Sequence, residues 1–207
     1  MPSRVSTPGT CALCAQPLTS ATIRAHLTSC APTHDAQGDP TALIGLRITA
    51  THDARYWIYL EMRADAKLRH LDALLRALWL ECCGHLSAFT IARRDAAMSK
   101  TAGGVLMPVG TTFEYEYDFG STTALTGHVW MSRRGCIGRA PIRLLARNNP
   151  LALTCTSCSA AATAVCPYCP EDGIFCETHA ATHEHASDEV YLPVVNSPRM
   201  GVCGYAG

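Results

Sequence analysis

The chain has 207 residues, equal numbers of acidic and basic side chains, 48% hydrophobic residues and twelve cysteines. That hydrophobic share excludes a globally disordered chain, and no apolar run reaches the about 20 residues that a membrane helix needs. The polar start, Met1 to Cys11, lacks a hydrophobic signal region, so an intracellular, cytoplasmic setting is expected, where thiols serve as metal ligands rather than in a disulfide framework.

Composition divides the chain into residues 8–31, a polar linker at 32–40, a central stretch at 41–150, a cysteine-rich stretch at 151–190 and a tail at 191–207. The first stretch reads Cys11-x2-Cys14, then His26-x3-Cys30. Thr19 and Ser20 can cap a short helix containing Ile23 and Leu27. His26 and Cys30 then lie one helical turn apart on one face and can close on the Cys11–Cys14 knuckle around a zinc ion. The pattern resembles a ββα zinc finger whose last ligand is cysteine. Such fingers often read DNA from the helix surface. Here Ala21, Thr22 and Arg24 are the main exposed positions, and a lone arginine favours protein contact instead.

In the central stretch Leu43 to Ala50 alternates as a strand, with Leu46 and Ile48 on one face, and Tyr56 to Met62 follows as a second strand. Leu68, Leu71, Leu75 and Leu78 recur at helical spacing and predict one main helix over 68–82, stopped near Gly84. Ser87 to Ala92 is a third strand, followed by a glycine-containing loop over about 95–110. Phe113, Tyr115, Tyr117 and Phe119 alternate with Glu114, Glu116 and Asp118, and Thr123 to Met131 is the antiparallel partner. The fold class expected is α+β, a small sheet covered by one main helix on its apolar face. Cys82 and Cys83, adjacent at the helix end, point in different directions and read as packing thiols.

The C-terminal stretch carries the most specific pattern: Cys155-x2-Cys158, Cys166-x2-Cys169, Cys176-x2-His179 and His183-x-His185. Eight thiol and imidazole groups in four pairs are two tetrahedral zinc sites, which gives about three zinc ions per chain with the N-terminal finger. So short a segment has little apolar material of its own, so metal binding would supply its folding energy. The one-residue gap in the last pair leaves Cys203 as an alternative to His183 or His185. The spacing resembles the B-box zinc module. That resemblance implies an interleaved cross-brace, with Cys155, Cys158, Cys176 and His179 on one ion and Cys166, Cys169, His183 and His185 on the other.

A second resemblance covers residues 41–146. It rests on Tyr56-Trp57-Ile58, the leucine helix, Gly84-His85-Leu86-Ser87-Ala88-Phe89 and Tyr115-Glu116-Tyr117-Asp118-Phe119-Gly120. Together these resemble the plasmid pRiA open-reading-frame-three-like family, some members of which carry a resolvase-like label as passengers of insertion elements. The resemblance implies a compact α+β domain in a mobile-element context and attaches no reaction to it. Ser132-Arg133-Arg134 places a serine beside arginines, but nothing in its spacing marks that serine as a recombinase nucleophile.

Candidate binding residues in the centre are His85, as a base or ligand, Asp118, as acceptor for backbone N–H groups in the following turn, and Arg133 and Arg134. Tyr115 and Tyr117 share a face with Phe113 and Phe119 and read as core. Residues 43–150 carry fourteen basic against nine acidic side chains, and residues 151–207 carry one against six. Two functions follow. In the first, closed zinc modules present rigid surfaces to a protein partner, without enzymatic activity and with no membrane. In the second, Arg93, Arg94, Arg133, Arg134, Arg139, Arg143 and Arg147 bind nucleic acid through phosphates. An enzyme is the weakest reading, because paired carboxylates, a phosphate loop and a Cys–His nucleophile pattern are all missing from the sequence. Pro198, Gly201 and Gly204 predict turns in a tail that packs back on the central domain.

Overall fold

The computed structural model describes residues 7–169, 173–186 and 191–207. Arg4 and the rest of the first six residues lie outside them, as do Glu171, Asp172, Asp188 and Glu189 of the acidic C-terminal count. Within the described residues no helix is long and apolar enough to cross a membrane.

The strands are β1 (Gly9–Cys11), β2 (Pro17–Leu18), β3 (Thr41–Ala50), β4 (Trp57–Arg63), β5 (Ser87–Ile91), β6 (Arg94–Ala96), β7 (Thr112–Tyr117), β8 (Thr123–Gly135), β9 (Ile142–Asn148), β10 (Ala164–Val165), β11 (Ile174–Phe175) and β12 (Leu192–Pro193). The helices are α1 (Ile23–Thr33), α2 (Leu68–Leu75), α3 (Ala102–Val105) and α4 (Glu177–Ala180). The sheet is larger than the sequence implied. Nine strands run in the order β2-β1-β9-β4-β3-β8-β7-β5-β6 with antiparallel pairing throughout. The α+β class holds, but neither the small sheet nor the one main helix does: α1 is longer than α2 and packs on the opposite face of the sheet. Four strands were not foreseen as members: β6, which pairs with β5 at the start of the stretch read as a loop, β9, which pairs with β4, and the two finger strands, which continue the sheet through Cys11 opposite Ala146.

Both faces of the sheet centre are covered, for a reason visible in the alternation of β4. Ile58, Leu60 and Met62 point to one face and join Ile44, Leu46, Ile48, Leu71, Leu75 and Trp79 in the main core. Trp57 and Tyr59 point to the other, where Ile23 and Leu27 of α1 pack with Leu145 and Ala146. The finger helix is therefore the second layer of the central domain. The stretch read as a linker belongs to the same layer: Ala31 is buried, α1 runs on through Pro32 to Thr33, and Asp35 is tied to β8 and β9. Thr22, not Thr19 or Ser20, is the N-terminal cap position of α1.

The leucine stripe is buried at Leu68, Leu71 and Leu75. The helix then widens into a π-helical turn over Arg76–Leu80, closed by the Glu81 N–H on the Arg76 carbonyl at 2.9 Å. A wider turn rotates the following side chains. Trp79 and Leu80 enter the core fully, and Leu78 is only partly buried. Glu81 is already extended, so the chain reaches Cys82 outside any helix.

β7 buries Phe113, Tyr115 and Tyr117 and exposes Glu114 and Glu116. Phe119 departs from the expected alternation, because the strand ends at Tyr117 and Asp118 is left-handed at φ 64°, which leaves Phe119 56% exposed. Opposite Phe113 on β8 stands Gly127, where a Cβ would overlap the aromatic ring. The Gly127→Ala variant is expected to lose about 1–3 kcal/mol, the range for overpacking a filled core, read from the urea unfolding midpoint. An unchanged midpoint would show that the Phe113 ring moves aside freely.

Candidate metal centres

All twelve cysteines are free thiols. They are nevertheless not scattered. Metal–ligand lengths of about 2.3 Å for zinc–sulfur and about 2.0 Å for zinc–nitrogen set the edges of a zinc tetrahedron at about 3.8 Å between sulfurs, about 3.5 Å between sulfur and nitrogen, and about 3.3 Å between nitrogens. Among the described residues, four groups of cysteine and histidine have ligand atoms lying within 4.8 Å of one another and could hold metal ions.

The first group joins Cys11, Cys14, His26 and Cys30. Cys11 ends β1, and the following knuckle is closed by the Ala15 N–H on the Cys11 carbonyl at 2.9 Å. His26 and Cys30 come from successive turns of α1. The Sγ atoms of Cys11 and Cys30 lie 3.9 Å apart, and Cys14 Sγ lies 3.4 Å from His26 Nε2. Both distances are tetrahedral edges. Cys11 and Cys30 are buried and Cys14 is exposed.

The second and third groups are interleaved along the chain. Cys155, Cys158, Cys176 and His179 come together, as do Cys166, Cys169, His183 and His185. In the former, Cys158 and Cys176 stand 3.9 Å apart, and His179 Nδ1 lies 3.5 Å from Cys155 and 3.3 Å from Cys176. In the latter, His185 Nδ1 lies 3.4 Å from Cys166 and 3.6 Å from Cys169, and His183 Nε2 lies 3.4 Å from Cys169 and 3.2 Å from His185 Nδ1. The one-residue gap between the two histidines therefore suffices to bring both to one centre.

The scaffold of these two groups is slight. β11, β10 and β12 form a three-stranded sheet of two-residue strands, and α4 supplies a single turn starting after Cys176. The Cys166 N–H donates to the Gly173 carbonyl at 2.7 Å. A Cβ at Gly173 would overlap the carbonyls of Cys166 and Cys169, so glycine lets the chain close on the knuckle. Phe175 packs on the His183 ring at 4.5 Å between centroids and holds its orientation.

Asn148 and Asn196 join the two chain segments that lead into and out of this module. Asn148, ending β9, donates through Nδ2 to Asn196 Oδ1 at 2.7 Å, and Asn196 Nδ2 donates back to the Asn148 carbonyl at 3.1 Å. β12 belongs to the module sheet, so the module extends past residue 190 and the tail begins after Pro193. The tail itself is built into the centre. Ser197 donates to the Trp79 carbonyl at 2.6 Å, and fully buried Arg199 donates to Asp118 Oδ2 at 2.7 Å. That guanidinium holds the Asp118 carboxyl down at about 2. The other Asp118 oxygen accepts the Gly120 N–H at 3.0 Å, the turn contact expected of it.

The fourth group was missed by sequence reading. Cys82, Cys83, His85 and Cys203 converge from the α2 side of the domain and from the tail. Cys82 and Cys83 do not sit at a helix end as expected from a helix over 68–82, because the chain after Leu80 is irregular and Gly84 is left-handed at φ 79°. Nothing in the sequence links Cys203 to residues 120 positions away, and the structure assigns it no part in the third group.

Three of the seven candidate arginines face inward. Arg133 and Arg143 bond Glu61 and Asp35, and Arg147 is half-buried with its Nη2 on the Asn196 carbonyl. Burial pushes the Arg147 guanidinium below its ordinary value. Arg133 is thus a structural group rather than a binding one. Arg134 is exposed and donates to the Pro40 carbonyl at 2.7 Å, and Arg93, Arg94 and Arg139 are exposed.

No family model and no curated protein matches the chain. Among solved structures, the crystal structure of a protein of unknown function from Methanosarcina mazei Go1 is similar over 74% of this chain and 89% of that chain, at 10% identity and a TM-score of 0.46.

Proposed function

We propose that the chain is a zinc-organised, non-enzymatic interaction protein, with the interleaved two-zinc module as the surface offered to a protein partner. The observation that carries this reading is the completeness of the donor sets. Each group brings four protein ligand atoms within 4.8 Å of one another, whereas a hydrolytic zinc keeps one position for water. The module resembles a B-box, and its exposed Tyr168, 59% accessible between Cys166 and Cys169, is an aromatic of the kind that anchors protein contacts. Residues 41–146 resemble the plasmid pRiA open-reading-frame-three-like family, and that resemblance is the ground for proposing a plasmid or mobile-element context. An open depression lined by Thr90, Arg93, Thr112 and Glu114 offers no paired carboxylates, so it adds no support for an enzyme.

The nucleic-acid reading keeps only Arg93, Arg94, Arg134 and Arg139 as exposed members of its arginine set. Fluorescence anisotropy with duplex and single-stranded oligonucleotides at about 50 mM salt is expected to show no binding. Binding that falls steeply as salt rises would replace the protein-partner reading with the nucleic-acid one.

A further inference from the structure

We propose that Cys82, Cys83, His85 and Cys203 bind a fourth zinc ion, and that this ion fastens the C-terminal tail to the end of the main helix. The donor set is three thiolates and one imidazole, a combination of structural zinc sites. Cys83 Sγ stands 3.7 Å from both Cys82 Sγ and Cys203 Sγ, close to the sulfur–sulfur edge. His85 Nε2 lies 3.0 Å from Cys83 and 3.3 Å from Cys203, somewhat inside the sulfur–nitrogen edge. Such sulfur separations exceed a disulfide bond of about 2.05 Å, and they gather both segments around a common point.

The surrounding structure holds both halves of this group in place. Arg76 donates to the His85 carbonyl at 2.7 Å and pairs with Glu81 at 2.8 Å, while Glu81 takes the Gly84 N–H at 2.6 Å. The turn bearing Cys82, Cys83 and His85 is therefore fixed to the helix behind it. On the tail, Cys203 adopts a left-handed backbone at φ 51° between Gly201 and Gly204, which are also left-handed. A β-carbon disfavours that conformation, and strained residues of this kind collect at ligand clamps. Two guanidinium groups, Arg76 and Arg199, lie 4.7 and 4.8 Å from the centre of the Tyr117 ring, and that ring packs edge-on against His85. Arg76 is paired with Asp72 and Glu81, and Arg199 with Asp118, so these groups fix the Tyr117 ring and the His85 that packs on it.

This site differs from the other three in what it joins. Each of the others lies within one local stretch of chain, whereas this one bridges residues 120 positions apart. Cys83 and Cys203 are exposed, so this ion would exchange more readily than those with buried thiolates.

The test uses the full chain, kept reduced, as wild type and as the Cys203→Ser and Cys83→Ser variants. Zinc is counted by elemental analysis after desalting, and cobalt is substituted to read thiolate charge-transfer absorption. Both variants are expected to hold about one zinc fewer than wild type and to lose a share of the cobalt–thiolate band. Amide exchange over residues 196–207 should quicken in both. Equal zinc content in wild type and both variants overturns the fourth site. A parallel Cys176→Ser variant separates this outcome from failure of the module reading, because it removes a ligand of the second group alone. Exposure of Cys83 and Cys203 makes misfolding of these variants a minor concern, and a far-ultraviolet dichroism spectrum matching wild type checks it.

Discussion

Stripping zinc with a strong chelator is expected to unfold residues 151–193 while the strands β3, β4, β7 and β8 keep their amide protection. The reason lies in what each part buries. Among the described residues of the module, the buried cluster is Cys155, Cys166, Phe175, Cys176 and Ala180, with Cys158, Ala164, Cys169 and Tyr191 packed against it. Most of that cluster is ligand sulfur. Without an ion those thiols contribute little more than small apolar side chains, and two-residue strands cannot hold a fold alone. Binding energies of about 10–16 kcal/mol for structural zinc at neutral pH are of the size needed to fold such a segment.

The finger should respond differently. Ile23 and Leu27 of α1 are packed against Trp57, Tyr59 and Leu145 of the sheet, and β1 is paired to β9. Chelation removes its clip but leaves that apolar contact, so α1 should keep partial protection while the Cys11–Cys14 knuckle frays. Hydrogen exchange followed by mass spectrometry, with metal loss verified by elemental analysis, resolves the three regions in one experiment. Undiminished protection over 151–193 in verified metal-free protein would remove the basis for the zinc reading. Refilling with zinc should restore protection, and should do so less well at low pH, where thiols and imidazoles hold their protons.

The sequence carried part of this molecule clearly. Alternation in β7 was readable because one face meets the core and the other meets solvent, so Tyr115 and Glu116 differ in kind. The four C-terminal ligand pairs were readable because each knuckle is local. β9 was not, because it lies in the covered middle of the sheet: Leu145 and Ala146 are buried in succession, and Arg143 and Arg147 look like basic surface. Their carboxylate and carbonyl partners are supplied by distant segments. The same limit hid the fourth cysteine group, whose halves meet only after the tail has returned through Asn196 and Arg199. What spacing cannot show is any contact made by two segments that meet late in the chain path, and the finger's place in the sheet is another case.

Glu61→Gln is expected to destabilise the central domain by about 3 kcal/mol, the low end for breaking a buried ion pair by removing one partner. Glu61 is fully buried on β4, where its face would otherwise continue the apolar side of Trp57 and Tyr59. It accepts from Arg133 Nε at 2.6 Å and from Arg143 Nη2 at 2.6 Å. Asp35, beyond the end of α1, accepts from the same two arginines at 2.7 and 3.2 Å. Two cations and two carboxylates thus cancel within one cluster that ties β4, β8 and β9 to the finger. Arg143 also donates to the carbonyls of His34 and Ala31 at 2.6 and 3.1 Å, which fastens the end of α1 directly. Glutamine keeps the shape but leaves two guanidinium groups facing one remaining charge. The hydrogen bonds from Arg133 hold the Asp35 carboxyl below the usual carboxylate range despite partial burial. A depressed carboxylate contributes stability above its unfolded pKa and loses it as pH falls through the folded one, so Asp35 should support the fold at neutral pH and cease to do so in acid. Urea unfolding at neutral pH reads the loss in Glu61→Gln directly, provided the slope is unchanged. The double variant Glu61→Leu with Arg133→Met leaves Asp35 and Arg143 as a balanced pair, and should therefore be more stable than Glu61→Leu alone. A loss below about 1 kcal/mol in Glu61→Gln, the range of exposed pairs, would mean that water reaches this cluster and screens its charges.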